Sequence, residues 1–187
     1  MMRSIKVILL MAGFAAMAIT TRAAPLAIDP RQSTVEVAVS CSMDSFVGHL
    51  EKYQAAIECD PTAALPTKAD LSFDFADLKT GKKDRDSAML KWLEYSAHPA
   101  ASFHLTGWNQ VGTTNIGLGT LTMHGVVLPV QMPVVINHDD TVWYISGQTL
   151  IDYRDFKLPK IRKALVLTVN PKLTVKFHLV GKIVASK

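Results

Sequence analysis

Residues 115–137 read NIGLGTLTMHGVVLPVQMPVVIN. Two alternating runs, Ile116–Met123 and Val126–Ile136, meet at His124-Gly125, which is the composition of an antiparallel hairpin closed by a tight turn containing glycine. Side chains on a strand point to its two faces in turn. Gly119, Leu121 and Met123 therefore share a face with Leu128, Val130, Met132, Val134 and Ile136, while Thr120, Thr122, His124 and Gln131 take the other. A sheet of such pieces has a wet side and an apolar side, and function turns on what fills the apolar side.

The same period recurs on both flanks. Thr34–Cys41 sets Val35, Val37, Val39 and Cys41 against Glu36, Ala38 and Ser40, and Leu50–Cys59 sets Tyr53, Ala55, Ile57 and Cys59 against Gln54 and Glu58. Ser42–Gly48 reads as the connection, so these two runs are expected to pair as a hairpin. Lys68–Ala76 alternates Leu71, Phe73 and Phe75 with Asp70, Ser72 and Asp74, and Ser102–Trp108 alternates Phe103 and Leu105 with His104 and Thr106. Thr141–Ile151 presents Trp143, Ile145 and Gly147 on one face, and Leu165–Val180 is apolar at every odd position through Phe177 and Leu179, Pro171 included.

Between Asp84 and Tyr95 the period changes. Ala88, Met89, Trp92 and Leu93 recur at three and four, which predicts an amphipathic helix capped by Asp84 or Asp86 and followed by Pro99. A Met/Trp stripe of this kind reads first as core packing. The total is all-β and mainly antiparallel, with eight strands and one inserted helix. A closed barrel and a two-sheet sandwich both satisfy that pattern; the helix and the long last strand favour the barrel. An eight-stranded barrel is either filled by its own side chains or holds one small ligand.

The first 23 residues have a different character. Arg3 and Lys6 precede the uncharged run Val7–Ile19, and Thr21-Arg22-Ala23 offers small residues where a signal peptidase reads, so residues 1–23 are expected to be a signal peptide cleaved after Ala23 and 24–187 one exported domain. The 13-residue run is short of the ~20 residues a membrane-spanning helix needs, so no stable membrane insertion is expected after cleavage. Without the leader's Arg3, Lys6 and Arg22, 17 basic residues face 16 acidic ones and no long basic block remains, which argues against a nucleic-acid partner.

Export places Cys41 and Cys59 in an oxidising compartment. In the expected hairpin they lie at opposite ends, ~9 residues or ~30 Å apart at the rise of a strand, so free thiols are the expectation. Catalytic signatures are missing: there is no G-x-S-x-G, S-x-x-K, H-E-x-x-H or C-x-x-C. Gly117-Leu118-Gly119 lies inside a strand, where it suggests close backbone approach or a bend rather than a phosphate loop. His104, His124 and His178 could meet on outer strand faces, but unpaired surface histidines are commoner than a metal site, and neither a metal nor a cofactor is expected.

A series of short pieces in order carries a family resemblance: Ile28-Asp29, Ser33-x-Val35-x-Val37, Val47-Gly48, Thr80 followed by Arg85-Asp86 and Met89, His98-Pro99 with Phe103, Gly119-x-Leu121-Thr122-x-His124-Gly125-Val126, and Pro129-Val130. The chain from residue 24 on resembles the YceI-like family of exported polyisoprenoid-binding proteins. That family's late Arg-x-Asp-aromatic-Gly motif stands here as Tyr153-Arg154-Asp155-Phe156-Lys157, without the glycine. The resemblance implies a lipocalin-like barrel in the periplasm whose interior takes up a long isoprenoid or similar fatty-chain lipid, and it leaves a homodimer open.

On that reading the lipid-binding candidates are the inward residues of each strand: Val35, Val37 and Val39; Phe73 and Phe75; Phe103 and Leu105; Leu121 and Met123; Val130 and Val134; Trp143 and Ile145; Phe177 and Leu179. Met89 and Trp92 join them from the helix. A barrel filled by its own side chains and acting as an interaction module is the alternative. An enzyme using Arg85, Asp86 or His98 is a more distant one, because no nucleophile and base stand together in the sequence.

Overall fold

The computed structural model describes residues 23–42, 45–139, 141–163 and 167–184. The expected leader, apart from Ala23, lies outside them. The strands in order are β1 Ala24–Ile28, β2 Thr34–Ser40, β3 Ser45–Leu50, β4 Gln54–Asp60, β5 Leu65–Asp74, β6 Leu78–Lys79, β7 Ala100–Val111, β8 Thr114–Met123, β9 Val126–His138, β10 Val142–Asp152, β11 Arg162–Lys163, β12 Leu167–Thr168 and β13 Lys172–Ile183. One helix, α1 Lys83–Trp92, separates β6 from β7.

Eight strands close a ring in the order β1-β4-β5-β7-β8-β9-β10-β13 and back to β1, every neighbour antiparallel. Closure is what lets half-buried strands avoid exposed edges. β13 serves two partners along the edge away from β10: its residues Gly181–Ile183 take β1 and Thr174–His178 take β2. From β2 the sheet continues through β3 to β6. The wall strand is split between Ile28 and Thr34, where the Asp29 carboxylate accepts from Arg31 N (2.9 Å) and Gln32 Nε2 (2.8 Å) and turns the chain. Buried Ser33 seals the split, its Oγ accepting from Val180 N at 2.9 Å and donating to Val180 O at 3.3 Å.

The central hairpin forms in the expected register, with Gly119 opposite Val130, Leu121 opposite Leu128 and Met123 opposite Val126. His124 (φ 50°) and Gly125 (φ 71°) both take the left-handed conformation that a two-residue turn of the strands' own twist requires. Gly119 allows a close approach: a Cβ there would fall 2.3 Å from Cε2 of the Phe103 ring and 2.6 Å from His104 O.

Four expectations are corrected. Residues 45–48 of the expected connection, with His49 and Leu50, form strand β3, and β2 pairs with β3 rather than with the run ending at Cys59, which starts only at Gln54 and pairs with β1 and β5. The turn at residues 51–53, Glu-Lys-Tyr, carries no Gly, Pro or Asn to mark it. Phe75 begins a 3-10 turn, Phe75–Asp77, capped by Asp74 whose carboxylate accepts from Ala76 N at 2.7 Å. Helix α1 starts at Lys83 with no side-chain cap; Asp84 and Asp86 lie in its first turn. The expected last strand is broken, with β13 beginning only at Lys172, after Asn170 and Pro171; residues 164–166 lie outside the described ones.

Buried side chains gather in two clusters. Leu26, Ile57, Cys59, Trp143, Ile145 and Leu179 pack where β1 closes the ring. Phe75, Leu93, Ala101, Tyr153, Phe156, Leu158 and Val169 pack at the end covered by α1.

Candidate functional site

The ring is not filled by its own side chains. A cavity of about 870 Å³ occupies the interior, where liquid water would need only roughly 30 Å³ per molecule. Its size falls in the range of small-molecule sites, and its lining is overwhelmingly aliphatic and aromatic.

Period-2 parity accounts for most of that lining. Val35, Val37 and Val39 of β2, Phe73 of β5 with Phe75 after it, and Phe103 and Leu105 of β7 face the cavity. So do Leu121 and Met123 of β8, Val130 and Val134 of β9, Ile145 of β10, and Phe177 and Leu179 of β13. Met89 and Trp92 face it from α1. Trp143 does not: it is 1% exposed, stacked on His138 (centroids 4.6 Å, 15°) and packed into the closed end with Leu26 and Leu179. Inward parity places a side chain inside the ring, but its height along the axis decides whether it meets cavity or packed core.

Sequence pattern alone misses Phe46 and Gly48, which fall in the expected connection Ser42–Gly48, and Leu158 and Ile161, which come from an irregular segment. For β3 a signal existed in the alternation Phe46, Gly48, Leu50. For Leu158 and Ile161 there was none, since they reach the cavity by loop geometry.

The charged members of the wall are Asp70 and, where the chain enters α1, Lys82, Lys83, Asp84 and Arg85. That corner is tied down. The Asp86 carboxylate accepts from Thr80 N (3.0 Å) and Thr80 Oγ1 (2.6 Å), and the Arg85 guanidinium stands 3.9 Å from the centroid of the Phe46 ring. At the other end of the helix Trp92 Nε1 donates to Pro159 O at 2.9 Å, and its ring meets Tyr153 edge-on at 5.0 Å. Tyr95 OH donates to Asp74 at 3.1 Å, and this bond to a carboxylate raises the Tyr95 pKa. The helix is thus pinned across the cavity at both ends.

The Asp152 carboxylate is held by Arg154, through its backbone N (3.0 Å), Nε (2.9 Å) and Nη2, and the guanidinium lowers the carboxyl to a pKa of about 2. Three residues after Arg154, Lys157 has φ 63°, a left-handed position at which the family pattern carries glycine. No disulfide joins Cys41 to Cys59. Cys59 is fully buried in the first cluster, where desolvation pushes its thiol up to about 12, and Cys41 packs against the second.

One seam of the ring is weakly closed. β9 and β10 pair only from His138–Trp143 to Val134–Gly147, although β9 runs back to Val126 and β10 on to Asp152. The next register position would set Pro133 against Gln148, and Pro133 has no amide proton to give. Beyond it Thr149 Oγ1, a side chain, donates to Gln131 O at 3.0 Å.

A serine and a histidine do meet, Ser146 Oγ to His178 Nδ1 at 2.7 Å, but on the outer face of β10 and β13, away from the cavity. His104 is likewise outward, bonded to Asp70, and the three histidines considered for a metal do not converge. Among the described residues no helix is long and apolar enough to cross a membrane.

Comparison with solved structures finds the same barrel. BcnA of Burkholderia cenocepacia superposes with a TM-score of 0.71 at 21% identity, over 82% of this chain and 98% of that one. A polyisoprenoid binding domain from Saccharophagus degradans, implicated in plant cell wall breakdown, gives 0.63 at 19%, over 87% and 100%. The Campylobacter jejuni YCEI protein gives 0.60 at 19%, over 74% and 85%. No curated protein matches by sequence. The YceI-like domain profile matches residues 26–181, from within β1 to within β13, and the chain belongs to the YceI-like family.

Proposed function

We propose that the chain is exported to the periplasm and that its barrel holds a long-chain isoprenoid or similar linear lipid for carriage, sequestration or a stress response. The observation that carries this reading is the hollow, apolar interior. A void of about 870 Å³ is far larger than a self-packed core tolerates, and water gains little from walls such as Val37, Phe103, Leu121 and Phe177. A hydrocarbon chain gains roughly 25 cal/mol for each Å² it withdraws from water, so it binds without a charged clamp. The polyisoprenoid-binding relative supports the same ligand class.

The test is an organic-solvent extract of purified protein analysed by mass spectrometry, followed by loading of the delipidated protein with an isoprenoid alcohol. Near-stoichiometric lipid, displaced in a Leu121→Trp variant that fills the cavity, is the expected result. A protein that emerges empty and takes up neither isoprenoid nor fatty chain would refute it.

A further inference from the structure

Outside the cavity, at the far end of α1, two pieces of the family pattern that lie 26 residues apart in the chain come into contact. After the helix, Ala97 N and His98 N donate to Glu94 O (2.8 and 3.0 Å), a turn that puts the side chains of Glu94 and His98 side by side. Opposite stands the β8–β9 turn. The centroids of the His98 and His124 rings lie 4.2 Å apart, and Gly125 runs alongside, a Cβ there falling at ordinary contact distance, 3.4 Å, from His98 Cε1.

The tautomer of His124 follows from its partner. Its Nδ1 is 3.1 Å from Phe156 O, and a carbonyl oxygen only accepts, so Nδ1 carries a proton and, in the neutral ring, Nε2 presents a lone pair. That Nε2 is buried and has no hydrogen-bond partner among the described residues. Its nearest charged neighbour, Glu94 Oε2, is 3.6 Å away, too far for a hydrogen bond. A buried unpartnered acceptor is costly, and it needs an explanation.

We propose that Glu94, His98 and His124 form a binding site for a divalent transition-metal ion, with zinc the best match. Bonds of ~2.0–2.1 Å in a tetrahedron give a ligand–ligand edge of roughly 3.4 Å. The Glu94–His124 distance is already close to that, and all three ligand atoms lie within 4.8 Å of one another, so a small rotation of the His98 ring completes the set. Two imidazoles and a carboxylate suit zinc, and a backbone carbonyl on the second nitrogen of His124 is the supporting contact that metal-bound histidines use. Glu94 is 67% exposed, which leaves the fourth position open to water.

Such an ion joins three elements: the end of α1, the β8–β9 turn and, through the His124–Phe156 bond, the 3-10 turn Tyr153–Phe156. Because Met89 and Trp92 of α1 line the cavity, the metal clamps the helix over the cavity. The site is independent of what the cavity holds.

The experiment is calorimetric titration of the chelator-treated full chain with zinc chloride, alongside cobalt(II) spectroscopy. The wild type should take up one equivalent, show the visible absorption of tetrahedral cobalt, and at a zinc concentration 100 times Kd gain about 100-fold in its folding constant. His124→Ala removes a turn residue at φ 50° and its bond to Phe156, so it could unfold the chain; His98→Ala and exposed Glu94→Gln are the deciding variants. Each should weaken zinc at least as much as the ~10–100-fold that losing a supporting contact costs, with its metal-free thermal midpoint near that of the wild type. Stoichiometric zinc binding undiminished in both variants, or none in the wild type, would overturn the site.

Discussion

Substituting Pro133 by valine restores one amide proton at the point where the β9–β10 ladder stops. Pro133 is exposed and follows directly on the last pair, Val134–Gly147, and the register sets it against the Gln148 carbonyl. A Cβ on Gly147 would come within 2.8 Å of Pro133 O, so the backbone groups of residue 133 already face β10. One added ladder bond contributes about 0.5–1.5 kcal/mol, and losing proline's restriction of the unfolded chain costs about 0.4–1 kcal/mol. Global stability should therefore change by only about −0.5 to +1 kcal/mol. Opening of the seam feels the bond but not the unfolded chain, so its open population should fall about 2- to 12-fold. Hydrogen exchange of Val126–Ile136 and of β10, in lipid-free and lipid-loaded protein, reads the opening, and stopped-flow uptake of a fluorescent fatty chain reads admission of the ligand. Slower uptake in parallel with slower exchange is expected if lipid passes this seam. Unchanged uptake in Pro133→Val, with protection on loading confined to Lys83–Trp92, would refute the seam and route the ligand under the helix.

Three further outcomes follow from the same structure. Val37→Asp sets an ion against an apolar wall and should cost several kcal/mol or abolish lipid retention, whereas Glu36→Gln loses only its surface pair with His49 (3.3 Å); equal tolerance in a denaturation and lipid-retention series would show the faces misassigned. Asp152 has a folded pKa of about 2 against an ordinary 3.8, so its stabilising contribution is present above pH ~4 and lost as pH falls towards 2. The thermal midpoint should fall over that window, less steeply in Asp152→Asn, and parallel curves would count against the pair with Arg154. Cys59, fully buried with its thiol pushed up to about 12, should resist a thiol reagent at pH 8 until the chain unfolds, and the denatured, unreduced protein should then titrate two thiols; rapid native labelling of Cys59 would contradict its burial.

Alternation along the chain was enough to assign the sides of the sheet. The faces of β2, β5 and β7 to β10 and the central hairpin's register were legible because strand geometry makes parity a local property, visible in any five or six residues. Most of the strand-borne lining of the cavity follows from that parity, while the parts supplied by β3, α1 and the loop of Leu158 and Ile161 do not. Eight strands allow a barrel or a sandwich; the inserted helix and the long last run favour the barrel, and the order of short family pieces points to the same fold.

What stayed hidden was whatever depends on partners distant in the chain. β1 and β3 are only five and six residues long and are each paired on both sides, β1 by β13 and β4, β3 by β2 and β6; the short alternation Phe46, Gly48, Leu50 alone does not separate β3 from a connection. Trp143 and Ile145 share a parity, yet one fills the packed end and the other faces the void, since height along the barrel axis is set by the stagger of the closed ring. Ser33 beside Val180 and His98 beside His124 appeared in the sequence as isolated letters of a pattern. Local periodicity records which side of a sheet a residue takes, because that choice is made by its own backbone. Which strand lies next to it, and which ring faces it, is chosen by closure of the whole barrel, and no short window of sequence contains that.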